Sequence, residues 1–149
     1  MRKVAADALV GASRDEVWDL YDDIDGRPRW VPGVREIRYL SGPARVGTVY
    51  RERRRTAGIS STAQWEITEH RRPVRQVHVG VSGAMERTRI ITLEARGSGT
   101  WVHQVMELRS LLPAPLGWVH ELLAVVPAGW EVNGTATGAK RVFEGHPGR

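Results

Sequence analysis

Residues Asp15 to Val34 read DEVWDLYDDIDGRPRWVPGV. Ser13 stands just ahead of Asp15 and Glu16, so it is placed to cap a helix whose positive end the two acids favour. Val17, Leu20, Tyr21 and Ile24 recur at helical spacing, with Trp18 beside them. Gly26 and Pro28 break that helix. Trp30 then precedes Val31-Pro32-Gly33, a turn from which the chain leaves extended, and is expected to act as a packing anchor. Upstream, Lys3 to Val10 alternates as a strand. Downstream, Val34 to Leu40 begins the next.

A long antiparallel meander follows. Strands are predicted at Thr48–Arg55, Ser61–Glu69, Val74–Val81, Met85–Arg96 and Thr100–Ser110. Thr56-Ala57-Gly58, Arg71-Arg72-Pro73, Ser82-Gly83 and Gly97-Ser98-Gly99 supply the turns. Leu116 to Phe143 reads as one long helix with Pro127 inside it, which predicts a kink or two segments. Residues 1–145 are expected to form a single domain, and 146–149 a frayed tail.

The passage VWDLYDDIDGRPRWVPGVREIRYLSGPARVGTVYRER resembles the polyketide cyclase/dehydratase-like branch of the START/Bet v 1-type (SRPBCC) superfamily. It carries a Val-Trp pair on the first helix, an Asp-rich end, Trp-x-Pro-x-Val, and Gly-Pro then Val-Gly before a strand. WEITEHRRPVR and GSGTWVHQVMELR are similar to that family's Pro-Arg turn and Gly-x-Gly-Thr hairpin. The likeness runs from residue 3 to residue 143. It implies an α+β helix-grip fold: a curved seven-stranded antiparallel sheet around a long C-terminal helix, with two short helices between strands 1 and 2.

Composition excludes several classes of function. The chain has 149 residues, 41% of them hydrophobic, enough for one core. It contains no cysteine, so thiolate chemistry and disulfides are absent. No apolar run is long enough to span a bilayer and no signal peptide is recognised, so a cytoplasmic location is expected. The net charge of +5 comes almost wholly from arginine interspersed with acids. It is read as solvated strand faces, and nucleic acid is not expected as a partner. The five histidines do not fall at metal-ligand spacing, so neither a metal nor another cofactor is expected.

Alternation assigns an inside and an outside to the sheet. Arg51, Arg53 and Arg55 belong in water, which turns Tyr50, Glu52 and Arg54 inward. Ala63, Trp65 and Ile67 face in. Val77, Val79 and Val81 are expected inside, sending His78 outward. Met85, Arg87, Arg89, Ile91 and Leu93 share the inner side, as do Val102, Gln104, Met106 and Leu108. From the helix, Leu122, Val126, Gly129, Asn133 and Ala136 are expected to form the opposite wall, and the six tryptophans, Trp118 and Trp130 included, to fill the core.

Apolar walls with sparse polar groups suit a small-molecule pocket. Tyr50, Glu52 and Arg89 are the candidate catalytic residues. Trp65, Val79, Arg87, Ile91, Gln104, Met106, Leu122 and Val126 are the candidate ligand contacts. Glu52 either pairs structurally with Arg87 or Arg89, or one arginine clamps a carboxylate or enolate while Glu52 or Tyr50 moves a proton. The resemblance implies a small hydrophobic or aromatic, polyketide-like ligand, with cyclisation or dehydration as the reaction. A non-catalytic lipid or quinone carrier and a ribosome- or partner-binding module are the other readings. Monomer and homodimer both remain open.

Overall fold

The computed structural model describes residues 1–144, so the expected tail at 146–149 lies outside the described residues. Strand β1 (Arg2–Val10) leads into helix α1 (Arg14–Asp22), a 3-10 turn (Ile24–Gly26) and the short helix α2 (Arg27–Trp30). Strands β2 (Val34–Arg38), β3 (Val49–Thr56), β4 (Ile59–Arg71), β5 (Arg75–Ser82), β6 (Met85–Arg96) and β7 (Gly99–Ser110) follow, then helix α3 (Leu116–Phe143). The strands form one antiparallel sheet in the order β1-β7-β6-β5-β4-β3-β2, curved around α3 as a helix-grip fold.

Local chemistry sets the first turn. Ser13 Oγ accepts from the Glu16 amide at 3.2 Å, and the Glu16 carboxylate accepts from the Ser13 amide at 3.1 Å. This capping box stabilises α1 by about 1 kcal/mol and fixes the angle at which Val17, Trp18 and Tyr21 enter the core. There they pack with Val10, Ile91, Leu93, Val102 and Ala139. The second cluster joins Tyr50, Trp65, Ile67, Met85, Met106 and Leu108 to Ala128, Val132 and Ala136 of α3. The turn after Trp30 meets α3 at Gly138, where an added Cβ would sit 2.5 Å from the Trp30 carbonyl oxygen. That glycine allows the close approach of helix to turn rather than merely weakening the helix.

Three expectations need correction. First, α3 runs through Pro127 as one helix and not as two segments. Proline deprives the Leu123 carbonyl of its helical partner, and Leu123 lies on the exposed side of the helix. Second, Trp118 and Trp130 lie 65% and 57% exposed and fill no core.

Third, strand β5 has the opposite facing. Gln76, His78 and Gly80 point inward and are buried, while Val81 is exposed and Val79 half-buried; of the three valines expected inside, Val77 is buried. His78 lies opposite Ile67 and Arg89, and Gly80 opposite Trp65 and Arg87, all of which face in. The physical reason is local. A Cβ at Gly80 would stand 2.5 Å from Trp65 Cδ2, so only glycine leaves room for the indole. The inward histidine has polar partners waiting for it.

Candidate functional site

The concave face collects charge instead of leaving an apolar hollow. From β3 come Tyr50, Glu52 and Arg54; from β6, Arg87 and Arg89; from α2, Arg27; and from α3, Glu131. Glu52, only 3% exposed, is the hub. Arg27 Nε donates to its Oε1 at 2.7 Å, and Arg89 Nη2 donates to its Oε2 at 3.3 Å. Arg54 Nη2 lies 3.5 Å from the same oxygen. Burial alone would raise the Glu52 carboxyl, but Arg27, Arg89 and Arg54 outweigh it and hold it well below the usual carboxylate range. Of the two expected pairings, Arg89 meets Glu52, whereas Arg87 Nη1 turns to Glu131 at 3.0 Å. Arg54 Nε stands 3.8 Å from Glu131 and its Nη1 donates to the Pro32 carbonyl at 3.1 Å.

Arg89 ties this ionic cluster to a neutral one. Its guanidinium lies 4.0 Å from the Trp65 ring centroid, and its Nη1 donates to Tyr50 Oη at 3.2 Å. Tyr50 Oη is 2.6 Å from His78 Nδ1, and His78 Nε2 is 2.7 Å from Gln76 Oε1. The Gln76 amide nitrogen faces Asp22, a pure acceptor, so Gln76 Oε1 must accept from His78 Nε2. Burial, reinforced by the charges of Arg89 and Arg27, holds His78 well below its ordinary value, hence neutral. Nδ1 therefore carries no proton and accepts from the Tyr50 hydroxyl. Burial also raises the Tyr50 phenol, with Arg89 opposing in part.

Two features of the cluster are chemically unspent. Among the described residues, Arg27, Arg54, Arg87 and Arg89 pair only with Glu52 and Glu131, an excess of two positive charges. Three buried donors, Arg27 Nη2, Arg87 Nε and Trp65 Nε1, find no acceptor among the described residues. Arg87 and Trp65 border a void of about 10 Å³ with Glu52, Arg54, Ala63 and Glu131. Such a space holds roughly one water. A far larger space, about 520 Å³, lies as an open groove along Val49, Gln64, Glu66, Thr68, Val79 and Val81 on the outer face of the sheet, with Trp65 at its border.

The candidate ligand contacts divide accordingly. Trp65 and Arg87 border the void. Met106 is buried beside Trp65 in the same core cluster, and Gln104 accepts a hydrogen bond from the Tyr21 hydroxyl. Ile91 is buried in the other cluster, under α1. Val79 belongs to the outer groove, because β5 has the opposite facing from that expected. Leu122 and Val126, 55% and 57% exposed, point into solvent, as does Asn133. The inward face of α3 is instead built from Ala128, Glu131, Val132 and Thr135. Glu131 could have been found as a lone acid in an apolar run, and Gln76 and His78 as polar alternates opposite valines. Arg27 gave no signal, because a Gly-Arg-Pro break reads as exposed.

No described helix is long and apolar enough to cross a membrane. No curated protein sequence matches the chain. Among solved structures, it is similar to TTHA0849 from Thermus thermophilus, at 16% identity and a TM-score of 0.78, covering 94% of this chain and 95% of that one. A START superfamily protein from Mycobacterium smegmatis gives 14% identity and a TM-score of 0.73, covering 95% and 96%. The di-domain ARO/CYC BexL of the BE-7585A biosynthetic pathway gives 18% identity and a TM-score of 0.75 over 98% of this chain and 51% of its own length. These likenesses concern the fold. The model of the family described as polyketide cyclase/dehydrase and lipid transport matches residues 1–144, and the chain belongs to that family.

Proposed function

We propose that this protein binds a small, flat hydrophobic molecule with an acidic or enolic head between the concave face of the sheet and α3. The observation that carries this reading is the unbalanced buried cluster, four guanidinia against two carboxylates with unsatisfied donors at a void. An anionic head would supply both the missing charge and the missing acceptors. Guanidinium suits a planar carboxylate or enolate because it offers paired donors in one plane. Arg87 is the entry point: its side chain is 21% exposed and, among the described residues, Glu131 on α3 is its only carboxylate partner. The void is too small for a ligand body, so binding would part Arg87 and Arg54 from Glu131, and the 3.8 Å Arg54 contact is the loosest in the cluster.

The family resemblance supports a polyketide-like ligand and, as a second reading, its cyclisation or dehydration. What favours that reading is the Tyr50–His78 pair, a phenol donating to a neutral imidazole beside a cation. Tyr50 would give or take the proton, with Arg89 stabilising the phenolate or enolate. Glu52, clamped by guanidinia and held ionised, would orient Arg89 and not shuttle a proton. Carriage without turnover requires none of this.

Calorimetric titration with aromatic carboxylic acids and β-diketones tests the proposal. Arg87→Met is expected to weaken binding by about 1.5–3 kcal/mol, the worth of a charged hydrogen bond. No binding by wild type, or equal affinity in Arg87→Met, would refute it. Tyr50→Phe, tested for turnover of any ligand so found, separates enzyme from carrier.

A further inference from the structure

The outward side of α3 carries a second surface, independent of the buried cluster. Leu116, Val119, Leu123, Val126 and Trp130 recur at alternating spacings of three and four residues, which places them in one stripe along the helix. They are 62%, 54%, 72%, 57% and 57% exposed. Trp118 and Leu122 flank them, both more than half exposed. The opposite side of the helix, Glu121, Ala128, Val132, Ala136 and Ala139, is the buried one. The helix is thus apolar on both sides, although only one side has a partner.

At roughly 150–250 Å² for each tryptophan side chain and less for each leucine and valine, the exposed group amounts to on the order of 600 Å² of apolar surface. Monomers rarely expose patches above about 300–600 Å², and a stable pairwise interface takes about 800 Å² from each partner. Charge narrows the choice of occupant. No lysine or arginine occurs between Arg109 and Lys140, and the two acids in that span, Glu121 and Glu131, are buried. A helix that lies on a lipid surface carries basic residues along its polar flank, and this one has none. A charged partner protein would find nothing here to read. A heptad stripe without charge is complementary to itself, and an antiparallel arrangement sets the bulky Trp130 end against the slimmer Leu116–Val119 end.

We propose that this face is a self-association surface: two copies of the chain pair through their α3 stripes, antiparallel, about a two-fold axis near Leu123.

Sedimentation velocity over a hundredfold concentration range tests the proposal. Wild type is expected to reach twice 16.6 kDa at the upper end. Leu123→Asp with Val126→Asp is expected to raise the dissociation constant at least about a hundredfold, with unchanged circular dichroism. Val81→Asp, at an exposed apolar residue on the outer face of the sheet, should leave the dimer intact. The chain has no cysteine, so Leu123→Cys should cross-link copies under mild oxidation, whereas Leu116→Cys should not. Wild type remaining at 16.6 kDa throughout, a dimer that survives the double aspartate variant, or cross-linking through Leu116→Cys would each overturn the proposal. Co-flotation of monomeric wild type with phosphatidylcholine–phosphatidylglycerol vesicles would do so too, assigning the face to lipid.

Discussion

Replacing Glu52 by Gln changes the charge at the hub and almost nothing of its shape. Three guanidinia lie within 3.5 Å of its oxygens, and all three belong to buried residues. At an effective dielectric constant of about 20, each pair at such range attracts by about 4 kcal/mol. Desolvation of the ions offsets most of that sum, so the net loss is far smaller than three pairs would suggest. Removing one partner from a buried ion pair typically costs about 3–5 kcal/mol, because the remaining charge stays buried. That is a fifth or more of the roughly 5–15 kcal/mol that keeps a domain folded. At about 2–4 °C per kcal/mol for a chain of this size, the melting temperature should fall by about 6–20 °C.

The pH dependence separates charge from shape. The folded Glu52 carboxyl is held below its unfolded value of 4.5. Its contribution is therefore complete above pH 4.5 and is lost as pH falls towards the folded value. The difference between wild type and Glu52→Gln should be largest near neutrality and shrink below pH 4.5. Urea denaturation followed by tryptophan fluorescence at a series of pH values measures both. A loss under about 1 kcal/mol at pH 7, or a difference that stays constant down to pH 3, would refute the reasoning.

Gly80→Ala places a methyl carbon 2.5 Å from the Trp65 indole, and overpacking of this kind should cost about 1–3 kcal/mol; an unchanged urea midpoint would show that the indole has room to move. His78 is held neutral below its ordinary value of 6.5, so the unfolded chain gains a proton there that the folded chain refuses. Wild type should lose up to about 1.4 kcal/mol per pH unit below 6.5 from this group, and His78→Phe should lack that component in paired melting curves.

The fold was legible because its markers are local. Ser13 with Glu16, the Thr56-Ala57-Gly58 turn and the Gly97-Ser98-Gly99 hairpin each dictate backbone geometry over a few residues, and the strands they separate alternate cleanly on β3, β4, β6 and β7. The site was legible only where polar residues interrupt an apolar alternation. Tyr50, Glu52, Arg87 and Arg89 were found that way. On β5 the same rule fails, since valines alternate with Gln76, His78 and Gly80, and the polar set is buried while Val81 is exposed and only Val77 of the valines is buried. Apolar-inside alternation holds when the partner layer is apolar, whereas β5 faces Tyr50, Arg89 and Trp65. Arg27 and Glu131 reach the cluster from α2 and α3 across distances in sequence that no spacing rule covers.

The stripe on α3 misled for a related reason. Leu122, Val126, Trp118 and Trp130 have the composition of a core face, and helical periodicity alone does not say which of two apolar sides meets the sheet. The small side wins because the Trp30–Pro32 turn and the sheet come too near for bulk: Gly138 almost touches the Trp30 carbonyl, and Ala128, Ala136 and Ala139 follow along the same side. The large residues are left outward by exclusion. A helix held close by small residues also brings Glu131 within reach of Arg87 and Arg54, which a bulkier inner side would hold apart. Close packing of α3 is thus what closes the void to about 10 Å³ and completes the ionic cluster. Buried ion pairs seldom exceed hydrophobic isosteres in stability. A cluster of four guanidinia that still lacks acceptors is therefore poorly explained by stability, and recognition of an anion accounts for it better.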